Sequence, residues 1–537
     1  MTRSAGGDEP RPSPETDRVA ARWPSRVDLT TFIPLGLAVL VLCALFWSGR
    51  GRGAAPGFPL DDAWIHMVYG RSLAEEGRLA YNPGTPATGS TSPLWALVLG
   101  AVHLLLGRTP IDVIIAAVMG IGCVFHLLGV LSVTRWARAF TGDRVAAVMI
   151  GALPALSTSY AAASFSGMEV TLCGWLLVAG VLSCVAGHGW AAGFWLALAC
   201  LARPEAAAVL ALCLCTAPFA ARGRTVPERA ATAIRLAIPA LVLGVLQVLY
   251  NQQVSGHPLP ATFYFKEERD AVFLPDRLLV AIADVFAGMP PFAGWVGWAA
   301  VVGLLPPFAR RSSVLPFAAA LAFLLANLYV IAPIDPPAFY HQRYLLPAVP
   351  LLVAALGLCA WQLGRRLQPG RPHAGLAALL AVGLGGAAVT AKPVSEHLHN
   401  DIRNINEVQR ALGSWLGEQA PPGAWIAASD AGAVRYFSRR PVVDVMGLNT
   451  PEFYWQQEIY LRSHAVTAAV LMPAWFSASG PVAPAILAAK ETRNYTVTSN
   501  PLMARQVVLA NRGTHPATVA FRGVRRFSLV FLPWRAP

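Results

Sequence analysis

About eleven apolar stretches, most of them near the ~20 residues that an upright membrane helix needs, recur between positions 31 and 391. They fall at 31–48, 110–134, 145–162, 168–187, 190–202, 204–220, 231–250, 291–309, 313–333, 343–364 and 373–391. Hydrocarbon offers no water to backbone N–H and C=O groups, so each stretch must close its own hydrogen bonds as a helix. A polytopic α-helical membrane protein follows. The composition agrees, since 55% of the 537 residues are hydrophobic and only 13% charged, against roughly 25% charge in a soluble domain.

Orientation is set by arginine. Arg135, Arg138, Arg144, Arg222, Arg224, Arg229, Arg310, Arg311, Arg365 and Arg366 lie in short loops, and all become cytoplasmic only if the apolar segment 93–106 does not cross. That segment therefore reads as a helix in or dipping into the outer interface. Residues 1–30, rich in Pro, Arg and acidic side chains, predict a disordered cytoplasmic tail. The run from Thr31 resembles a signal-peptide core, but Gly49-Arg50-Gly51-Arg52 is a poor cleavage site, so it is read as a retained first span. The expected layout in the plasma (inner) membrane is a cytoplasmic N-terminus, a membrane domain over 31–391 with outer loops 49–109 and 251–290, and an outer region 392–537. That last region has soluble character: a helix-like stretch at 395–417 precedes strand candidates at 424–430 and 441–445, which predicts a small C-terminal extracytoplasmic α/β domain.

The net charge of +13 is spread over the loops without a basic helix or an aromatic-basic surface, so no nucleic-acid partner is expected. All eight cysteines lie in apolar segments, which implies no disulfide framework.

Three polar stretches share the outer side, and function is sought there. The first carries Asp61-Asp62 in a run where Leu60, Trp64, Ile65, Val68 and Leu73 recur at helical spacing, which predicts an amphipathic helix lying on the membrane with the two aspartates at its start. Acidic residues in a first turn are explained by capping and the helix dipole. Adjacent carboxylates beside lipid also repel, which raises one proton affinity and leaves a usable general base. Glu169, after a Gly-Met turn at an outer helix start, is either a dipole partner or a second acid of the site. Arg203, Lys266 and Arg343 fall at outer helix ends, where charge near lipid is costly unless functional or paired. Snorkelling or an ion pair such as Arg203 with Glu205 is the plain alternative. His66, one turn after Asp62, and His341, beside Arg343, are candidates for contact with a sugar or phosphate. No cofactor and no metal site is predicted, although Asp61, Asp62 and an acceptor oxygen would together hold a divalent cation.

Several blocks carry a more particular pattern. Asp61-Asp62-Ala63-Trp64-Ile65-His66 leads through Tyr69-Gly70-Arg71 to Tyr81-Asn82-Pro83-Gly84 and then Gly89-Ser90-Thr91-Ser92-Pro93-Leu94-Trp95. Ser166-Gly167-Met168-Glu169, Leu201-Ala202-Arg203-Pro204-Glu205, Pro258-Leu259-Pro260-Ala261-Thr262, Arg343-Tyr344-Leu345-Leu346-Pro347 and Asp430-Ala431-Gly432-Ala433 through Asp444-Val445-Met446-Gly447-Leu448 follow in order. In these blocks the chain resembles the GT-C superfamily of membrane glycosyltransferases, in particular a bacterial branch with mycobacterial arabinofuranosyltransferases and relatives of protein mannosyltransferases. Ala261 stands where an asparagine is commoner.

The resemblance implies transfer of a sugar from a polyprenyl-phosphate donor to an acceptor hydroxyl of a cell-envelope glycan, lipid or protein at the outer face, with an acidic residue of the first loop as base. Asp61 is favoured, with Asp62 orienting the acceptor or its neighbour, in one inverting displacement. Arg203, Lys266 and Arg343 would meet the departing phosphate. A lipid-linked glycan transporter or flippase, or a non-catalytic glycan-binding membrane protein, would also need many spans. Transporters, however, tend to place polar residues near the midplane in repeated halves, whereas here the charges collect at one face and no repeat is present.

Overall fold

The structure, a computed structural model, describes residues 29–49, 55–220, 225–267, 311–331, 342–450, 464, 466–471, 492–496, 507–510 and 526–530. Its helices are α1 (Phe32–Ser48), α2 (Asp61–Glu76), α3 (Pro93–Leu106), α4 (Ile111–Thr141), α5 (Arg144–Ala155), α6 (Thr158–Ala162), α7 (Val170–Val185) and α8 (Gly189–Ala202). They continue with α9 (Ala207–Ala220), α10 (Val226–Ser255), α11 (Ala261–Glu267), α12 (Arg311–Ile331), α13 (Val349–Leu367), α14 (Ala374–Ile405), α15 (Ala411–Gln419) and α16 (Ala431–Ser438). The expected apolar segments coincide with α1, α4 to α10 and α12 to α14, while 291–309 lies outside the described residues, as does most of the expected tail 1–30.

Among the described residues, five helices are long and apolar enough to cross a membrane, or six if one bent pair counts as a span, and the chain is a multi-pass membrane protein. The bent pair corrects the reading of 145–162 as one straight span: Arg144–Ala155 and Thr158–Phe165 meet at 61°. Pro154 supplies no N–H near the break, and a 2.7 Å bond between the hydroxyls of Thr158 and Thr390 holds the second half against α14. Burial divides the long helices. The apolar window of α10 is only 11% buried whereas that around α13 is 83% buried, so α13 runs through the bundle centre. Ile234, Leu241, Val242, Leu246 and Leu249 of α10 stay exposed, an arrangement that is stable only against lipid.

The expected domain boundary at 392 falls inside a continuous helix. Backbone hydrogen bonding does not stop where apolarity stops, and α14 runs past Pro393 to Ile405, then through a π-helical turn, Asn406–Arg410, into α15. Beyond it, strands β3 (Trp425–Ala428), β4 (Val442–Asp444), β5 (Val466–Leu471), β6 (Thr492–Thr496), β7 (Val507–Ala510) and β8 (Arg526–Val530) form a mixed sheet in the order β4-β3-β5-β7-β8-β6, once the two-residue-turn hairpin β1 (Ala80–Asn82) and β2 (Thr85–Pro86) is set apart. Strands β3 and β4 fall at the strand candidates 424–430 and 441–445 and pair in parallel, with α16 as their crossover.

Helix α2 does not lie open on a membrane surface. It is enclosed nearly all round, with Ala63, Trp64, His66, Met67, Val68, Tyr69, Gly70, Arg71 and Ser72 buried, because α3 covers one side and α16 the other. The Trp64 ring sits 5.2 Å from Tyr436 and 4.7 Å from Phe437. Periodicity showed one apolar face, but a partner some 370 positions away was invisible to it. The hairpin completes the clasp: Asn82 donates to the Val442 carbonyl at 2.9 Å and accepts from the Val442 N–H at 2.8 Å, satisfying both backbone groups on the open edge of β4.

Replacing Asn82 by Ala strands both of those buried groups. The expected cost is about 2–3 kcal/mol, read as a lower melting temperature in lipid nanodiscs and faster protease cleavage between β3 and β4; an unchanged melting temperature refutes the clasp.

Candidate active site

The first acidic residue of the pair serves a helix other than its own. Helix α2 starts from Leu60 without a side-chain cap, and the Asp61 carboxylate reaches instead to α16, accepting from Gly432 N–H at 2.6 Å and Ala433 N–H at 2.8 Å. These are donors that the first turn of a helix leaves unpaired. The approach is so close that a Cβ on Gly432 would stand 2.1 Å from the Asp61 carbonyl oxygen, which explains the glycine. Burial pushes the Asp61 carboxyl well above its ordinary value, and the neighbouring charge of Asp430 adds to it, against the pull of the two amides.

Asp62, about a third exposed, forms an ion pair with Arg343, which is buried. From there the charge network runs inward. Arg343 donates to the Tyr344 hydroxyl at 2.8 Å, and its guanidinium lies 4.8 Å from the Tyr344 ring centroid, while the Arg203 guanidinium lies 4.9 Å from the same ring. Arg203 donates to Glu169 at 2.6 Å and stands 3.6 Å from Glu205. His66 Nε2 is 3.6 Å from the other Glu169 oxygen. Burial lowers the proton affinity of His66, helped by the charges of Arg343 and Arg203 and opposed by those of Glu169 and Asp62. For Arg343, burial works to weaken the charged form, but Asp62 and Tyr344 outweigh it and hold the guanidinium charged.

Of the residues singled out from sequence, Asp61, Asp62, His66, Glu169, Arg203 and Arg343 are thus gathered at adjoining helix ends. Lys266 belongs to the short helix α11, and His341 lies outside the described residues. The motif blocks converge on the same place: Trp95 donates to the Gly167 carbonyl at 2.8 Å, and Ala261 N–H donates to the Thr88 hydroxyl at 3.2 Å. The pairing Arg203 with Glu205 is real but secondary to Glu169, which comes from another helix. Of the aromatic residues in the C-terminal region, Trp415 packs against the core and Trp425 meets His464 edge-on at 4.4 Å.

Sequence reasoning passed over Tyr344, Asp430, Gln409 and Asp444. Asp444 is buried, accepts from Met446 N–H at 2.9 Å and from the backbone and side-chain amides of Asn449 at 3.0 and 2.8 Å, and its carboxyl is pushed by burial up to about 6. Asp430 and Asp444 lay in plain view inside quoted blocks, but only as sequence; a buried acidic residue carries no signal of its own until the strand that buries it is placed. Both Asp61 oxygens accept from amide N–H groups, and Asp62 pairs with Arg343. Among the described residues no three His, Cys, Asp or Glu side chains gather as ligands.

A family model described as a domain of unknown function, DUF8728, matches residues 400–520. No curated protein matches the chain in sequence. Its architecture is similar to that of ArnT from Cupriavidus metallidurans bound to undecaprenyl phosphate, with a TM-score of 0.57 at 14% identity over 90% of this chain and 98% of that one. The apo state of the same ArnT gives 0.54 at 14% identity over 89% and 97%. The chain therefore shares its fold with these membrane-protein structures.

Proposed function

We propose that this protein transfers a sugar from a polyprenyl-phosphate donor to a hydroxyl of a cell-envelope glycan, lipid or protein, at the outer face of the plasma membrane. One observation carries the reading. Beside the accessible Asp62 lies a buried polar cluster in which Glu169 Oε2, Glu205 Oε2, Arg203 Nε and His66 Nδ1 make no hydrogen bond among the described residues. Buried polar atoms that lack hydrogen bonds cost free energy; the hydroxyls of a lipid-linked sugar would donate to the two carboxylate oxygens, and its phosphate would accept from the Arg203 N–H. The fold shared with ArnT, a protein seen bound to undecaprenyl phosphate, supports a lipid-phosphate donor. The eleven-span layout, with a cytoplasmic N-terminus and an outward C-terminal α/β domain, belongs to this proposal, as do the division of the chain into 1–30, 31–391 and 392–537 and the part of Lys266 and His341 in donor binding.

In the proposed reaction the acceptor O–H gives its proton to Asp61 as its oxygen bonds to the anomeric carbon. The bond from that carbon to the phosphate oxygen breaks, the electron pair leaves with the polyprenyl phosphate, and configuration inverts. Asp61 suits the base because burial favours its protonated form once the proton arrives. The Asp62–Arg343 pair lies next to it, and the Arg343 and Arg203 guanidiniums flank Tyr344 where the phosphate charge develops.

Purified protein in nanodiscs, offered polyprenyl-phosphate sugars and a glycan acceptor, tests this directly. Asp61→Asn is expected to slow transfer by about 10²–10⁴-fold; absent transfer by the wild type, donor flipping without transfer, or undiminished transfer in both Asp61→Asn and Asp62→Asn overturns the reading. Because Asp61 works unprotonated and its carboxyl is raised, transfer should rise with pH through a value above the ordinary ~3.9 and fall below it. Glu169→Leu leaves Arg203 under-compensated in a buried setting, for an expected loss of about 3–5 kcal/mol in unfolding free energy, part of which Glu169→Leu/Arg203→Met recovers. Equal melting temperatures for wild type and Glu169→Leu would refute that coupling.

A further inference from the structure

Helix α16 begins at Asp430, an aspartate in the N-cap position, where this residue type ordinarily turns back onto the amides of the second and third helical residues. Here it does not cap. Those amides, Gly432 and Ala433, are both taken by Asp61, from 371 and 372 positions away. The Asp430 Oδ2 instead accepts a 2.7 Å bond from Gln409 Nε2. Gln409 is fully buried and sits on the π-helical turn Asn406–Arg410, an insertion of the kind that recurs at functional sites because it re-aims the side chains around it. Two aspartates, the half-buried Asp61 and the buried Asp430, thus address a single helix end.

We propose that Asp430 is a positioning residue for Asp61: drawn off its own helix by Gln409, it leaves the α16 N-terminus to Asp61 and so fixes the direction in which the Asp61 carboxylate faces the acceptor. This deepens the transferase reading and rests on it. The charge of Asp430 has a second consequence. Asp61 is faced by Asp62 on its own helix, by Asp430 and the two amides from α16, and by Tyr81 of the hairpin, whose hydroxyl donates to the Ala431 carbonyl at 2.7 Å. After burial, Asp430 is the strongest influence favouring the protonated Asp61, ahead of Asp62, so it also makes Asp61 the better proton acceptor.

Asp430→Asn removes the charge while keeping an oxygen for Gln409. In the full-length protein in nanodiscs, the acid limb of kcat for sugar transfer should move down by about half to one pH unit, with KM for the donor changed less than about twofold. A carboxyl raised in the folded state contributes stability that is present below its unfolded value and lost as pH rises through the folded value. The wild-type melting temperature should therefore fall more steeply from about pH 4 to pH 8 than that of Asp430→Asn. Gln409→Leu releases Asp430 to recapture the amides, so kcat should drop at least about tenfold while α16 stays capped and the protein stays folded. An unmoved acid limb, a melting temperature lowered equally at every pH in Asp430→Asn, or an unchanged kcat in Gln409→Leu overturns the proposal. Should the wild type transfer nothing, the transferase reading fails, and the two melting profiles still decide whether Asp430 acts on Asp61.

Discussion

The contact of Asp61 with the first turn of α16 is the constraint around which this end of the protein is arranged. A carboxylate removed from water is costly unless it is hydrogen-bonded, and a helix N-terminus buried without partners is costly too; each removes the other's penalty. Because the two groups are 371 positions apart, that exchange can be made only when α2 and the C-terminal sheet are in register. The surrounding contacts follow from it. Arg71 donates to the Tyr436 carbonyl at 2.7 Å, Arg435 donates to the Tyr81 carbonyl at 3.0 Å, and Tyr69 donates to Asn449 at 3.1 Å, so that polar groups from both parts are satisfied across one seam.

Beside that seam, the low dielectric of the bundle end makes charge placement decisive. Asp62 pairs with Arg343, Glu169 and Glu205 pair with Arg203, and the two guanidiniums both lie close to the Tyr344 ring. Isolated, any of these charges would be expelled from such a position or lose its ionisation. Paired but incompletely hydrogen-bonded, they form a network ready to exchange an internal partner for a ligand, a property that a solvated surface cluster of the same composition would lack.

Much of the molecule was legible in the chain, and the reason is the solvent. Lipid imposes helices on apolar stretches, so the extents of α1, α7 and α8 could be read to within a few residues. The failures share a cause as well. The break between α5 and α6, the unbroken passage of α14 through Pro393, and the burial of α2 all depend on neighbours, and periodicity describes a segment's own faces without saying what covers them. The acidic pair illustrates both sides: its place at the start of a helix was visible, while the helix that Asp61 caps was not.

By itself, then, the sequence determined the class of structure, the helical segments and the residue types available for chemistry at the helix ends, because hydrophobicity and charge act locally against lipid and water. Only the tertiary structure decided partnership. It gave Glu169 rather than Glu205 the shorter bond to Arg203, assigned Arg343 to Asp62, and set Asp61 rather than Asp430 on α16. Such choices are made by distances between segments far apart in the chain, and a short-range electrostatic or hydrogen-bonding preference has no value until the fold fixes those distances.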